Sequence, residues 1–317
     1  MTNLYEYAVR RILSAIPVLL LVSFIIFALV RMVPGGPAVT MLGADADPAQ
    51  LERVREAMGL NDPLHIQYLE YLWDVVHLDF GRSQMTDQAV VDAIVQRLPT
   101  TITVALAGFA VALTVAIPAG TISAMKKDTP ADYAALTFGL LGVSIPNFWL
   151  GLILLLVFGV QLSIFPVAGY VSPFQDPVAG LRYLVLPGIT LGTAMAAIIT
   201  RMLRSELLEE GGKDYLNALR MKGVSSTTVL RHWLKNAFIP VITVIGMQFG
   251  YLLGGTIVIE IVFSIPGMGR LLLTAIQSRD YIMVQGVVIS LVGFFVLVNL
   301  AVDIAYFHLN PKLRESQ

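Results

Sequence analysis

Six stretches of this chain carry no Asp, Glu, Lys or Arg: residues 12–30, 98–125, 133–175, 183–200, 236–259 and 281–302. A helix needs about 20 mostly apolar residues to cross a bilayer, and only closed hydrogen-bonding structures can do so. Five of the stretches hold one span each. The third is longer, but its part 161–175 is short and contains Pro166 and Pro173. It reads as one span over 134–160 followed by an interfacial segment. The expected fold class is therefore an all-α polytopic membrane protein with six transmembrane helices. Composition agrees: 14% of residues are charged, against roughly 25% in a soluble domain.

An even number of spans puts both termini on one side, and Lys and Arg in the short loops say which. With the ends inside, the inner segments hold Arg10, Arg11, Lys126 and Lys127, seven more between 201 and 238, then Lys312 and Arg314. The short outer loops hold Arg182, Arg270 and Arg279. Segment 31–99 carries ten acidic residues against five Arg, which suits the exterior. The N-terminus looks like a signal peptide, but its apolar run of 19 residues exceeds the 7–15 of an h-region and no cleavage site follows. It is read as an uncleaved first span.

The expected organisation is thus an N-terminus and first span over 1–30, an outer helical segment over 31–99, a five-helix core over 100–307 and a cytoplasmic tail over 308–317. Within the outer segment, Pro34, Gly35, Gly36 and Pro37 make a turn. Asp47-Pro48 starts a helix whose apolar face is Leu51, Val54 and Met58, and Gly59 stops it. A second helix follows Asn61-Asp62-Pro63, and a third amphipathic piece over 87–98 leads to Pro99. This segment reads either as a cap on the helices or as a docking surface for an outside partner.

Within the spans, Pro146 frees a backbone carbonyl and bends its helix. Such kinks either shape a bundle or mark a moving pathway. Gly246, Gly250 and Gly254 recur every four residues on the fifth span. They serve close helix packing or line a pore with bare backbone. Asn147 and Gln248 are mid-span polar groups that either line a wet route or bond to neighbouring helices. Residues 271–277 can form a short helix dipping back toward the membrane.

Several chemistries are absent. The middles of the spans hold no ionisable residue, whereas ion-coupled carriers usually place one there. The chain has no Cys, and its four His are scattered without metal-ligand spacing. No G-x-x-x-x-G-K-[ST] occurs, so no P-loop binds nucleotide. A net charge of −1 gives no pull toward nucleic acid. No catalytic, cofactor-binding or metal-ligating set is expected, and any ATP that powers this chain binds elsewhere.

The segment 203–238 is the charged insertion between two apolar runs of the second half. Gly211-Gly212 breaks one helix, Asp214 caps the next, and Gly223 fits the C′ position. Ser225 or Ser226 caps the helix that follows. A short helix thus lies flat between two turns. It either transmits the push of a cytoplasmic partner or rests on anionic lipid.

Residues 214–223, Asp-Tyr-Leu-Asn-Ala-Leu-Arg-Met-Lys-Gly, resemble the EAA loop of ABC importer permeases. Asn217, Ala218 and Leu219 stand at its Glu-Ala-Ala triplet, where one position agrees, and Gly223 stands at its glycine. Arg10-Arg11, Phe80-Gly81-Arg82-Ser83, Arg97-Leu98-Pro99-Thr100-Thr101, Pro146-Asn147-Phe148-Trp149 and Phe263-Ser264-Ile265-Pro266-Gly267-Met268-Gly269 extend the resemblance along the whole chain. The family often has proline after Tyr281, where this chain has Ile282. The resemblance is to the B-type membrane subunit of dipeptide/oligopeptide importers, a group that includes nickel and glutathione importers.

The resemblance implies a type I importer permease of the cell membrane. Its expected partners are a homologous C-type permease, two cytoplasmic ABC ATPase subunits and an extracytoplasmic solute-binding protein. A coupling role falls on Ala218 and Gly223 by motif, and on Asp214, Tyr215, Arg220 and Lys222 by proximity. Rival classes are a secondary carrier, which would need a gradient, and a non-transporting scaffold.

Overall fold

The computed structural model describes residues 4–32, 36–43, 46–57 and 59–309. Pro34 and Gly35 of the expected turn, Met58 of the expected apolar face, and Lys312 and Arg314 of the tail lie outside them. Regular structure among the described residues is helical, apart from one isolated antiparallel bridge between Arg82 and Ala89. Five helices are long and apolar enough to cross a membrane, and a sixth crossing arises if one bent pair counts as a span.

The described residues group into two compact units, 5–99 with 267–297, and 100–266 with 298–309. The first contains α1 (Leu4–Arg31), α2 (Gly36–Leu42), α3 (Pro48–Ala57), α4 (Leu64–Val76), the start of α5 (Val90–Met125), α11 (Met268–Gln277) and the first half of α12 (Tyr281–Leu309). Its core is Val90, Ala93, Ile94, Met268, Ala275, Met283 and Val287. A Cβ on Gly286 would sit 2.4 Å from Val90 Cγ1, so a larger residue there would push α12 off α5. Two polar clusters hold this unit. Tyr68 of α4 donates to Leu20 O at 3.1 Å and meets Ser23 Oγ at 2.9 Å. Asp280, 3% exposed, caps α12 by accepting from Met283 N at 3.1 Å, and it also accepts from Ser83 Oγ and, at 3.3 Å, Gln84 N.

The second unit is built on α8 (Pro177–Gly211), which packs against α6 (Pro130–Ser144), α7 (Asn147–Leu154) and α10 (Ser226–Val262). Its core includes Val104, Leu184, Leu186, Leu191, Ile259, Phe263 and Ile265. α5 meets α8 backbone to backbone: a Cβ on Gly192 would lie 2.6 Å from Gly108 O. That approach suits a membrane, where dispersion from close packing drives helix association. At the α6 end of this unit, Arg204 grips Asp132 with Nε and Nη2, each at 2.6 Å, while Ser123 Oγ and Asp128 N also donate to that carboxylate. Asp132 is 1% exposed, so its charge is stabilised by four donated hydrogen bonds and a paired cation.

Three expectations change in detail. The piece over 87–98 becomes, from Val90 onward, the start of one 36-residue helix that continues past Pro99; proline in its interior removes one helical hydrogen bond, and Asp92 in the first turn favours the helix start. Pro146 does more than bend its span: α6 and α7 meet at 104° across Ile145 and Pro146. After α7 the backbone widens into a π-helical stretch, Leu155–Gln161, before the irregular segment 162–176. α11 occupies 268–277, where a short dipping helix was expected over 271–277.

Candidate functional site

The charged insertion folds as expected into a short helix, α9 (Asp214–Met221), between α8 and α10. Its start differs from the sequence reading. The N-cap is Lys213, in extended conformation and without a side-chain capping bond, and Asp214 is the first helical residue. Asp214 there still favours the positive helix end. Its stop is as read. Gly223 has φ +71°, a left-handed conformation that costs an L-residue about 1–2 kcal/mol, and Gly223 N and Val224 N donate to Arg220 O and Leu219 O. Ser225 Oγ then caps α10 by accepting from Thr228 N at 3.4 Å.

One face of α9 is anchored. Leu216 is fully buried. Tyr215 donates from its hydroxyl to Glu210 Oε1 at 2.8 Å and accepts from Asn236 Nδ2 at 2.9 Å, joining the end of α8 to α10 through α9. Lys213 Nζ closes the other side of Glu210, and this bond holds the Lys213 ammonium above its ordinary pKa. Tyr215 is also raised, first by burial and then by its bond to Glu210, so it stays a neutral donor. Trp233 of α10 donates to Leu207 O of α8 at 2.6 Å, and its ring would touch a Cβ at Gly211. α8, α9 and α10 therefore share one polar and aromatic knot.

The opposite face is open. Asp214, Asn217, Ala218 and Met221 recur at i, i+3, i+4 and i+7, the spacing of a single helical ridge, and all are exposed. Met221 is 84% exposed. Arg220, Lys222 and Gly223 are exposed beside this ridge. A groove of about 530 Å³ runs next to it, lined by Met125, Arg220, Val224, Val229, Leu230 and Trp233 among others. Of the six residues singled out on this helix and the turn that ends it, five are exposed and Tyr215 faces the knot. Glu210, Leu216 and Asn236 were not foreseen. Leu216 could have been, as the apolar residue between two polar turns; the bond from Asn236 to Tyr215 has no local signal.

The other candidates are dispersed. Gly246 is buried, and a Cβ there would lie 2.2 Å from Val302 Cγ1 of α12. Gly250 is buried, while Gly254 is exposed with nothing within 4 Å of a built Cβ. Steps of four residues drift about 40° per repeat on a 3.6-residue helix, so the three glycines do not share one environment. Gly254 instead lies in an outward stripe of α10 with Met247, Tyr251, Val258 and Ile261. Asn147 is the first residue of α7 and Gln248 sits mid-α10; both are half-buried. No group of His, Cys, Asp and Glu able to hold a metal occurs among the described residues.

Comparison with known proteins fits this architecture. Residues 116–315 match the family described as binding-protein-dependent transport system inner membrane component, and residues 4–105 match its N-terminal membrane component. A Brucella abortus protein provisionally named a peptide transport system permease is 42% identical over 306 residues, 96% of this chain and 98% of the relative. The Escherichia coli K12 glutathione transport system permease protein GsiC is 38% identical over 310 residues, 98% of this chain and 99% of the relative. Such permeases work with ATPase, permease and binding-protein subunits, and they sit in the inner membrane as multi-pass chains. Matched along nearly its whole length, and helical and apolar as that role demands, the chain belongs to the family of binding-protein-dependent transport system inner membrane components, the permease subunits of ABC importers.

Proposed function

We propose that this chain is the B-type half of a peptide importer, passing short peptides or a chemically similar solute inward. The names of its relatives support peptide or glutathione as the cargo class. In this reading both termini and α9 are cytoplasmic, as the Lys and Arg distribution suggests. α9 seats its open ridge, Asp214, Asn217, Ala218 and Met221, in a groove of one ATPase subunit. The anchored face, through Leu216 and Tyr215, passes the resulting displacement to α8 and α10 together. Nucleotide-driven work then enters as differential contact with two states of the permease, and this chain performs no chemistry itself.

A homologous C-type permease completes the pathway. The outward stripe of α10 is the surface this reading assigns to it, since the open space at Gly254 lets a second backbone approach. Two ATPase subunits and an outer solute-binding protein complete the assembly. The observation that carries the proposal is a helix fixed on one face to both adjoining spans and open on the other. The test is cross-linking from single cysteines placed at positions 214–223 in the assembled transporter. Positions 214, 217, 218 and 221 should join an ATP-hydrolysing subunit, and 216 should not. Failure of all ten positions to reach such a subunit would end this reading.

A further inference from the structure

A second site lies far along the chain from α9, within the unit formed by Tyr5–Pro99 and Gly267–Leu297. A cavity of about 280 Å³ is lined by residues of the α1 end, α4, the turn 79–81 and the start of α12. At about 30 Å³ per water this is room for roughly nine waters, the scale of an amino acid or dipeptide.

Its polar lining is divided. Tyr71 Oη and Gln285 Nε2 are buried and have no hydrogen-bond partner among the described residues. Burial pushes the Tyr71 phenol up to about 12, so it remains an O–H donor. Arg31 lines the same cavity; its Nε donates to Gln67 Oε1 at 2.9 Å, and its guanidinium stacks 3.7 Å from the Phe27 ring centroid. Among the described residues that guanidinium forms no ion pair, which leaves its two terminal nitrogens to donate. The neighbouring Gln67 is, by contrast, fully used, donating to Leu60 O and Asp62 O. Two buried donors and the half-buried guanidinium of Arg31 therefore line one cavity, where no acceptor among the described residues pairs with the Tyr71 hydroxyl or the Gln285 amide, and buried donors left unpaired are costly.

The remaining charged lining is acidic and exposed: Glu70, Asp74 and Asp79. Of these, Asp79 spends Oδ1 on Gly81 N. A lone anion at the three donors would face three carboxylates against one guanidinium. A lone cation would leave the donors unsatisfied. A zwitterion meets both conditions, with its carboxylate inward and its ammonium at the rim.

We propose that this cavity is a binding site for a small zwitterion, an amino acid or the length of a dipeptide, whose carboxylate is held by Arg31, Tyr71 and Gln285 and whose ammonium is held by Glu70 and Asp74. This goes beyond the importer reading. It places a solute site in the unit that contains α4, and it holds whether or not α9 couples to an ATPase.

The test is equilibrium binding of radiolabelled L-alanyl-L-alanine to the full chain in lipid nanodiscs, with ATPase subunits absent. Saturable binding is expected. Competition by L-alanyl-L-alaninamide, which lacks the carboxylate, and by N-acetyl-L-alanyl-L-alanine, which lacks the ammonium, should each be weaker by about tenfold, the scale of one charge-assisted bond. Tyr71→Phe removes one oxygen from a half-buried ring and should keep the fold, confirmed by an unchanged melting temperature. It should weaken binding about threefold to tenfold, and the double variant Y71F/Q285L should abolish saturation. Lack of saturable binding, equal competition by the amide, or wild-type binding in the double variant would each overturn the proposal. Acetate competing as well as the dipeptide would overturn the zwitterion assignment.

Discussion

Leu216→Ala isolates the anchored face of α9 from its open one. α9 has eight residues, too few to persist alone in water, where helices below about 12–15 residues are marginal. Its place beneath α8 and α10 depends on tertiary contacts, and Leu216, 0% exposed, is its one fully buried side chain. Truncating a buried leucine to alanine costs about 2–5 kcal/mol, from lost transfer and the cavity left behind. Because α9 joins its neighbours through turns, that cost falls on local opening rather than on the membrane spans. At about 1.4 kcal/mol per decade, amide exchange within α9 should accelerate by roughly 30-fold to several thousand-fold. Exchange in the middle of α8 should not change. Hydrogen exchange with mass spectrometry on the chain in nanodiscs reads both regions. Met221→Ala is the control: at 84% exposure it should leave α9 exchange within about twofold of wild type, as surface changes stay within about 0.5 kcal/mol. In the assembled importer, L216A should hydrolyse ATP but lose most uptake. Unchanged α9 protection in L216A would refute the claim that this residue holds the helix in place.

Further expectations test other parts of the structure. Gly223→Val forces a β-branched residue to φ +71° and should cost at least about 1–2 kcal/mol; uptake should fall while ATP hydrolysis and membrane insertion persist. Arg204→Met leaves the Asp132 carboxylate buried without its cation, and should destabilise by about 3–5 kcal/mol in detergent thermal unfolding. The double variant D132L/R204M should recover most of that loss, since an apolar pair of similar volume is often neutral. Gly246→Ala drives a Cβ to 2.2 Å from Val302 Cγ1, an overpacking cost of about 1–3 kcal/mol; Val302→Ala in the same chain should relieve it, measured as a double-mutant cycle.

What could be read along the chain was whatever repeats locally. Five long apolar stretches became five long helices. The turn chemistry of Gly223 and the cap at Ser225 were legible because each acts within a few residues. The outward ridge of α9 was partly legible: its members are neighbours on one helix, so naming the helix nearly names the face. Its inward face was not, because Asn236 lies 21 residues from Tyr215 and nothing in either residue type announces the other. Tyr215 was singled out for a partner beyond the chain and proves to bond within it.

The uncharged stretches alone determined that this chain must live in a bilayer as helices, because an apolar solvent leaves a backbone few other ways to satisfy itself. They could not determine how those helices meet. Asp280 finds Ser83 across 197 residues, and Arg204 finds Asp132 across 72. Gly246 proves to be a contact with Val302, and Gly254 a piece of open surface. Tyr71 and Gln285, unremarkable in sequence, are brought to one cavity with spare donors. Each of these depends on which surfaces pack together, and packing is a property of three-dimensional shape that no local pattern encodes.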